Sequence, residues 1–353
     1  MHIACLLPSQ LTASQRATWQ TLRAGGTGLD NPFFAVEFFE LLESLRGGVE
    51  ILVLSEHGAP VAFLPLERCG HVAHTAGSRV AEIQGPVAPA GFAWNPTSVM
   101  QSLGLSIWRY GCVPIDQTAL APHHLCERRF PCVDLEAGLE AYLQSRRAAG
   151  SKQIEQTRRK VRKFARERAP LHFVWHTDAA DALARLIEWK SDQYQRTGTL
   201  DLFRFDWVCA LARRATMLTN PNFSGVLSVL YCGDRPVAAH LGLRSNGVLC
   251  WWLPAYDRRF SQYSPGSILL LEVIEAAAAH GIARIDLGQG DERYKQSFAN
   301  ADFAVAEGAV SLHAWNRTAR RTWIHMREWA QSTPACAAPL RMFRSVRNRL
   351  IHP

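Results

Sequence analysis

With 353 residues, 48% of them hydrophobic, and a formal net charge of +8, the chain is long enough for two ordinary domains and apolar enough to pack cores. That excludes a disordered or fibrous protein. The N-terminus, MHIACLLPSQ, lacks the basic start and long apolar run of a secretory signal. The most apolar helix candidate, residues 267–280, is shorter than a membrane span and carries Glu272 and Glu275. Nine scattered cysteines, never spaced as Cys-x-x-Cys, suit reduced thiols. These features predict a soluble, cytoplasmic protein. His123, His124, Cys126 and Cys132 are metal-ligand types without the paired spacing of a zinc site. They read as a polar turn, and no metal is expected.

The positive charge is concentrated. Residues 146–168 hold ten Lys/Arg against two Glu, and residues 316–353 hold eight Arg against one Glu, so the rest of the chain is net negative. Such segments either meet phosphate, an anionic membrane surface or an acidic partner, or form solvated helix faces.

Residues 1–138 read as one α/β unit. Residues 11–22 suit a helix, and Asn31-Pro32-Phe33-Phe34 with Phe38 and Phe39 supplies aromatic anchors around a turn and a second helix. Residues 50–55 and 60–66 form a hairpin across His57-Gly58-Ala59. Residues 81–87 and 106–110 are short strands, or strand and helix ends. No acid, base and nucleophile converge in this half. Residues 139–170 form a basic helical arm, in which Ile154, Val161, Phe164 and Ala165 make one apolar stripe and Pro170 ends the run.

Residues 171–315 read as a second unit. A strand at 171–175 leads to helices at 179–196 and 206–218, then to a meander of strands at 225–231, 236–243 and 248–254. A helix, a strand at 283–287 and a charged helix follow. Residues 316–353 read as a basic helical tail whose Trp323, Met326 and Trp329 either lie on a membrane or pack back on the core. The predicted class is α/β (α+β), with mixed central sheets flanked by helices. The stretch 247–298 is strand, loop, helix and strand ending in Gly288 and Gly290, the form in which such folds present a ligand pocket.

The element order of the second unit resembles the GNAT acyltransferase superfamily. Trp252-Leu253-Pro254-Ala255-Tyr256-Asp257, Ser264-Pro265-Gly266, Asp286-Leu287-Gly288-Gln289-Gly290-Asp291 and Tyr294-Lys295 resemble one branch in particular. These are the acetyltransferases of bacterial polysaccharide and cellulose biosynthesis (the CelD/BcsL type), relatives of the FemAB peptidyltransferases. Pro65 and Gln84-Gly85-Pro86 resemble that group's degenerate first half. The resemblance implies two tandem GNAT-like domains with a competent site mainly in the second. It also implies acetyl-CoA or another acyl-CoA as co-substrate, lying between two splayed parallel strands. The donor's pyrophosphate would meet the amino end of the following helix, here at Ser264, Gly266 and Ser267 with Arg258 and Arg259 just before. The chain departs from the superfamily loop Gln/Arg-x-x-Gly-x-Gly/Ala: Pro265 stands where the first glycine belongs, and Gly266 comes one place late. FemAB relatives also lack that loop, and the resemblance then implies aminoacyl-tRNA as the donor.

Acyl transfer needs a base, an oxyanion stabiliser and, for a thioester, a proton for the leaving thiolate. His240, Asp257, Asp286 and Asp291 are candidate bases at or beside strand ends, Tyr294 a candidate donor to the thiolate, and Lys295 a candidate to stabilise the oxyanion or bind an acidic substrate group. Asp291 is also a candidate for the substrate or as a helix cap. Trp252 and Tyr256, with Trp251, form either a sugar-binding wall or core. Lys190 and Tyr194, four apart on one helix face, either face the acceptor or make a solvated lysine above a packed tyrosine. The acceptor expected from the resemblance is an amine or hydroxyl of a sugar, nucleotide-sugar or polysaccharide precursor. The basic segments allow peripheral attachment at the inner face of the membrane.

Overall fold

Local chemistry sets where the first elements begin and end. Thr12 accepts a hydrogen bond from the Gln15 amide while the Gln15 side chain accepts from the Thr12 amide, a reciprocal cap that starts the first helix. Gly47, at φ +69°, ends the second helix in a conformation only glycine adopts freely. In the computed structural model, which describes residues 1–290 and 292–312, the chain begins with β1 (His2–Leu6), α1 (Ala13–Gly25) and α2 (Val36–Arg46). The hairpin β2 (Val49–Glu56) and β3 (Ala59–Cys69) follows, then β4 (Val72–Thr75), α3 (Pro96–Ser102), β5 (Ile107–Pro114) and β6 (His124–Asp134). The basic segment forms α4 (Gly138–Ala148) and α5 (Gln153–Glu167). The second half runs β7 (Leu171–Val174), α6 (Ala180–Thr197), α7 (Asp206–Thr216), β8 (Ser224–Cys232), β9 (Arg235–Ser245) and β10 (Val248–Tyr256). It ends with α8 (Pro265–Ala279), β11 (Arg284–Asp286), α9 (Arg293–Phe298) and β12 (Ala301–Ser311).

The strands join in one sheet in the order β1-β2-β3-β4-β5-β12-β6-β11-β10-β9-β8-β7. Read inwards from either edge, the same arrangement repeats. Five strands of one half are completed by a sixth from the other: β12 pairs with β5, and β6 pairs with β11. The two exchanged strands pair with each other at the centre. Each half holds one parallel pair, β4 with β5 and β10 with β11, among otherwise antiparallel neighbours. The tandem architecture is therefore a repeat with exchanged last strands, and neither half closes its sheet alone.

Two helical layers cover the sheet. On one face, Trp19, Phe33 and Phe38 from the first half share a core with Leu227, Leu241 and Trp252 from the second. On the other, Tyr142, Ile154 and Phe164 pack with Ile268, Leu271 and Ile274 of α8 over the second half's strands. The basic segment is thus a packed layer as well as a connection, with Arg158 paired to Glu275 at 3.0 Å. Its outward face keeps Lys152, Arg159, Arg162, Lys163 and Arg166 exposed.

Several local expectations are corrected. His124, Cys126 and Cys132 do not sit in a polar turn: they lie in β6, at the sheet's centre, where Phe130, Cys132 and Val133 are buried. The apolar end of a strand flanked by charges hid its period. Residues 81–87 are irregular, joined to the sheet by an isolated bridge between Phe63 and Val87. Residues 301–311, given no element in the sequence, form the exchanged β12. The tail at 316–353 lies outside the described residues, as does Asp291. No helix among the described residues is long and apolar enough to cross a membrane.

Polar contacts lock the halves together. Arg284 bonds Asp30 at 2.8 Å and Asp286 at 2.7 Å, and the Asn31 amide donates to Asp286 at 2.7 Å. Asp286 has no exposed surface. Removing Asp286 leaves Arg284 with Asp30 alone and the buried Asn31 amide without its acceptor, so Asp286→Ala is expected to cost roughly 1–3 kcal/mol of stability. Urea denaturation measures it, and a loss under about 1 kcal/mol would contradict this role.

Candidate active site

The site begins where the sheet opens. β10 and β11 pair in parallel at three positions only: Val248 with Arg284, Leu249 with Ile285 and Cys250 with Asp286. Past Cys250 the register of β10 against β9 shifts, so that Cys250 faces Leu243 while Leu253 faces Leu241. Such a bulge bends a strand and re-aims its side chains. β11 cannot follow, because β6 holds its other edge over the same three residues. The strands separate into a cleft of about 540 Å³. The amino end of α8 stands at this opening, where Ser264, Gly266 and Ser267 line the cleft. The first-turn N–H groups of a helix lack intrahelical acceptors and carry the positive end of its dipole. Ser264 turns the chain into α8 at φ +54°, and Lys160 of α5 donates to its hydroxyl at 2.7 Å.

Three ionisable side chains line the cleft deeply. Glu82 arrives from the first half, on the irregular segment between β4 and α3, anchored beside it by Val80, whose carbonyl accepts from Trp252 at 2.9 Å. Gly288 makes room for it: φ is +76°, and a Cβ there would collide with the Glu82 carboxyl. The carboxyl is pushed up to about 7, first by burial and against the pull of Lys295, the Cys250 thiol and Lys190. That thiol donates to it at 3.2 Å. Lys190 of α6 is 8% exposed and donates to the Pro254 carbonyl at 3.1 Å. Burial pulls its ammonium down to about 8. Lys295 of α9 donates to the Gln289 carbonyl at 2.7 Å and pairs with Glu292 at 3.3 Å. A carboxyl near neutrality between two lysines, in a cleft where a helix start can meet an anion, is equipped for proton transfer.

Residues 151–296 match the family of acetyltransferase (GNAT) domains. This stretch is a GNAT acetyltransferase domain. No curated protein matches the chain. Three solved structures share its fold over nearly their whole length. FemX has a TM-score of 0.56 at 10% identity, with 88% of this chain and 96% of that chain covered. The C-terminal domain of a candidate lysylphosphatidylglycerol synthetase from Agrobacterium fabrum has a TM-score of 0.52 at 15% identity, covering 87% and 93%. A tandem GNAT protein from the clavulanic acid biosynthesis pathway has a TM-score of 0.51 at 9% identity, covering 88% and 98%. Likenesses at these identities concern the fold.

Within the GNAT domain the cleft gathers Lys190, Tyr194, Trp252, Tyr256, Tyr294 and Lys295, with Ser264, Gly266 and Ser267 at the α8 end. Lys190 is a buried cation 5.4 Å from the Tyr194 ring centre, not a solvated one. Burial raises Tyr194 and Tyr294 above the usual phenol range, so both keep their protons. The other candidates lie elsewhere. His240 is fully buried in β9 behind Trp251, stacked on it at 4.0 Å, and burial pulls the imidazole down to about 3. Asp257 accepts from Arg259 and Arg235, and with Arg259 lines a separate groove. Burial opposes ionisation there, but the Arg259 hydrogen bonds overcome it and hold the carboxyl below its usual range. Asp286 is spent on Arg284 and Asn31. Arg258 is exposed at the start of the short helix before α8, outside the cleft lining.

Glu82 is the residue that sequence reasoning missed. Its one local signal is an acid set among Val80, Ala81 and Ile83, an apolar setting in which a carboxylate is costly. The stability of the fold should register this cost. The free carboxyl titrates near 4.5 and the folded one near 7, so between those values the native chain holds a proton that the unfolded chain has released. Stability then falls as pH rises through the window, by at most on the order of 3 kcal/mol, since the side open to the cleft stays hydrated. Glu82→Gln is expected to flatten that part of the slope in urea denaturation at pH 5 and pH 8. An unchanged slope would contradict the assignment.

Proposed function

We propose that the chain is an acyltransferase that carries an acyl group from an acyl-CoA thioester, acetyl-CoA or a longer relative, to an amine or hydroxyl of a sugar, nucleotide-sugar or polysaccharide precursor. The observation that carries this reading is the Glu82 carboxyl, pushed up to about 7 inside the cleft between β10 and β11. A base poised near the working pH combines a useful ionised fraction with a strong drive to take a proton.

In this scheme the acceptor's nitrogen or oxygen attacks the thioester carbonyl carbon and passes its proton to Glu82. A C–N or C–O bond forms, the carbonyl oxygen becomes an oxyanion, and collapse breaks the C–S bond. Lys295 supplies positive charge for the oxyanion, and the Tyr294 hydroxyl, protonated throughout, offers a hydrogen bond to the departing sulfur. The start of α8 suits the donor's diphosphate. Trp252 and Tyr256 give the cleft an aromatic wall of the kind that sugars stack upon.

Release of CoA from acetyl-CoA with an amino-sugar acceptor tests the reading. Turnover should rise with pH through about 7 as Glu82 ionises. Glu82→Gln should lower kcat by roughly 10²- to 10⁴-fold with acyl-CoA binding unchanged. A pH-independent rate, or a fully active Glu82→Gln, would overturn it. The displaced glycine at Gly266 and the cationic face of α5 beside Ser264 favour one alternative donor, aminoacyl-tRNA. Aminoacyl transfer from charged tRNA, with no CoA released from any thioester, would establish that alternative.

A further inference from the structure

The acceptor end of the cleft carries a buried charge that has no ion-pair partner among the described residues. An ammonium has three N–H donors. Lys190, 8% exposed, spends one on the Pro254 carbonyl and faces the Tyr194 ring at 5.4 Å, and no carboxylate among the described residues forms an ion pair with it. Lys295, 6% exposed, is different, because it pairs with the exposed Glu292 at 3.3 Å. With Glu292 committed to Lys295, Lys190 faces the Glu82 carboxyl without an ion pair of its own. Burying an ammonium is costly unless a charge answers it, and the downward shift at Lys190, caused first by burial, is in keeping with the missing ion pair. The groups facing Lys190 are Glu82 from the first half, Lys295 and Glu292 from the α9 region, and the buried His240 of β9. None supplies a paired anion.

Resting on the acyl-transfer reading above, we infer that the acceptor carries an anionic group, a carboxylate or a phosphate, which Lys190 binds with help from Lys295 while Glu82 faces the nucleophile. An acceptor of this kind completes the hydrogen bonds of the Lys190 ammonium and neutralises the deep end of the cleft. The same atoms would exclude a neutral sugar, which leaves a buried cation unanswered.

Isothermal titration calorimetry on the full chain without donor tests this, using glucosamine, glucosamine 6-phosphate and 2-amino-2-deoxyglucuronic acid. At least one anionic ligand is expected to bind ten-fold or more tighter than glucosamine, and which one does so tells phosphate from carboxylate. Lys190→Met fills the lysine's volume without its charge and should keep the fold, which circular dichroism checks. It should abolish the anion preference while acetyl-CoA binding stays as in the wild type, and Lys190→Arg should restore part of the preference. Equal binding of all three ligands, no binding by either anion, or an anion preference that survives Lys190→Met would overturn the inference. Anion binding lost in Lys190→Met, in a protein that releases no CoA from any thioester, would sink the acyl-CoA reading and keep this site. CoA release with neutral and anionic acceptors alike would do the reverse.

Discussion

Everything at the site depends on how short the parallel pairing between β10 and β11 is. Three residue pairs hold the strands together, and then β10 bulges while β6 keeps β11 in place. A parallel ladder that continued would have paired the backbone edges along both strands, and no cleft would exist. Because it stops, the sheet has an opening at its middle, with a helix start at one side and a carboxyl at the other. The cost is borne by the surroundings. β11 is only three residues long, yet it sits between two longer strands and is clamped through Arg284, Asp286 and Asn31.

The first half of the molecule is therefore part of the site and not an appendage to it. It lends β6, which holds β11 open, and takes β12 in return. It anchors Trp252 through the Val80 carbonyl and packs Phe33 against the same indole at 5.8 Å. Two residues beyond Val80 it delivers Glu82. Strand exchange of this kind makes the relative placement of the halves a matter of sheet geometry, so a carboxyl from one half can be held near groups of the other without a mobile interface. Gly288, with no side chain and a left-handed backbone, is the local condition for that approach.

Much of this was legible in the residues. The hairpin of β2 and β3, the meander of β8 to β10 and the apolar helix α8 all carry local signals of period, turn chemistry and length, and each formed where those signals lie. Lys190, Tyr194, Trp252, Tyr256, Tyr294 and Lys295 share a cleft because they sit on elements whose order was readable. What was hidden is non-local. The exchange of β6 and β12 leaves no mark on either strand's own pattern, since a central strand of any register reads alike. Glu82 is separated from Lys295 by most of the chain, and its neighbours suggest only packing. His240 and Asp286 show the converse: their residue types suit catalysis, but burial behind Trp251 and the claim of Arg284 turn them to structural use.

In the proposed reaction the acyl donor enters between β10 and β11 with its carbonyl facing Glu82. A crystal structure of the full chain with a non-reactive thioether analogue of acetyl-CoA decides the matter. The diphosphate is expected at Ser264, Gly266 and Ser267 and the acyl carbonyl in the cleft opposite the Glu82 carboxyl. An analogue bound in the separate groove beside Asp257 and Arg259, or at any other surface with the cleft empty, would contradict this placement.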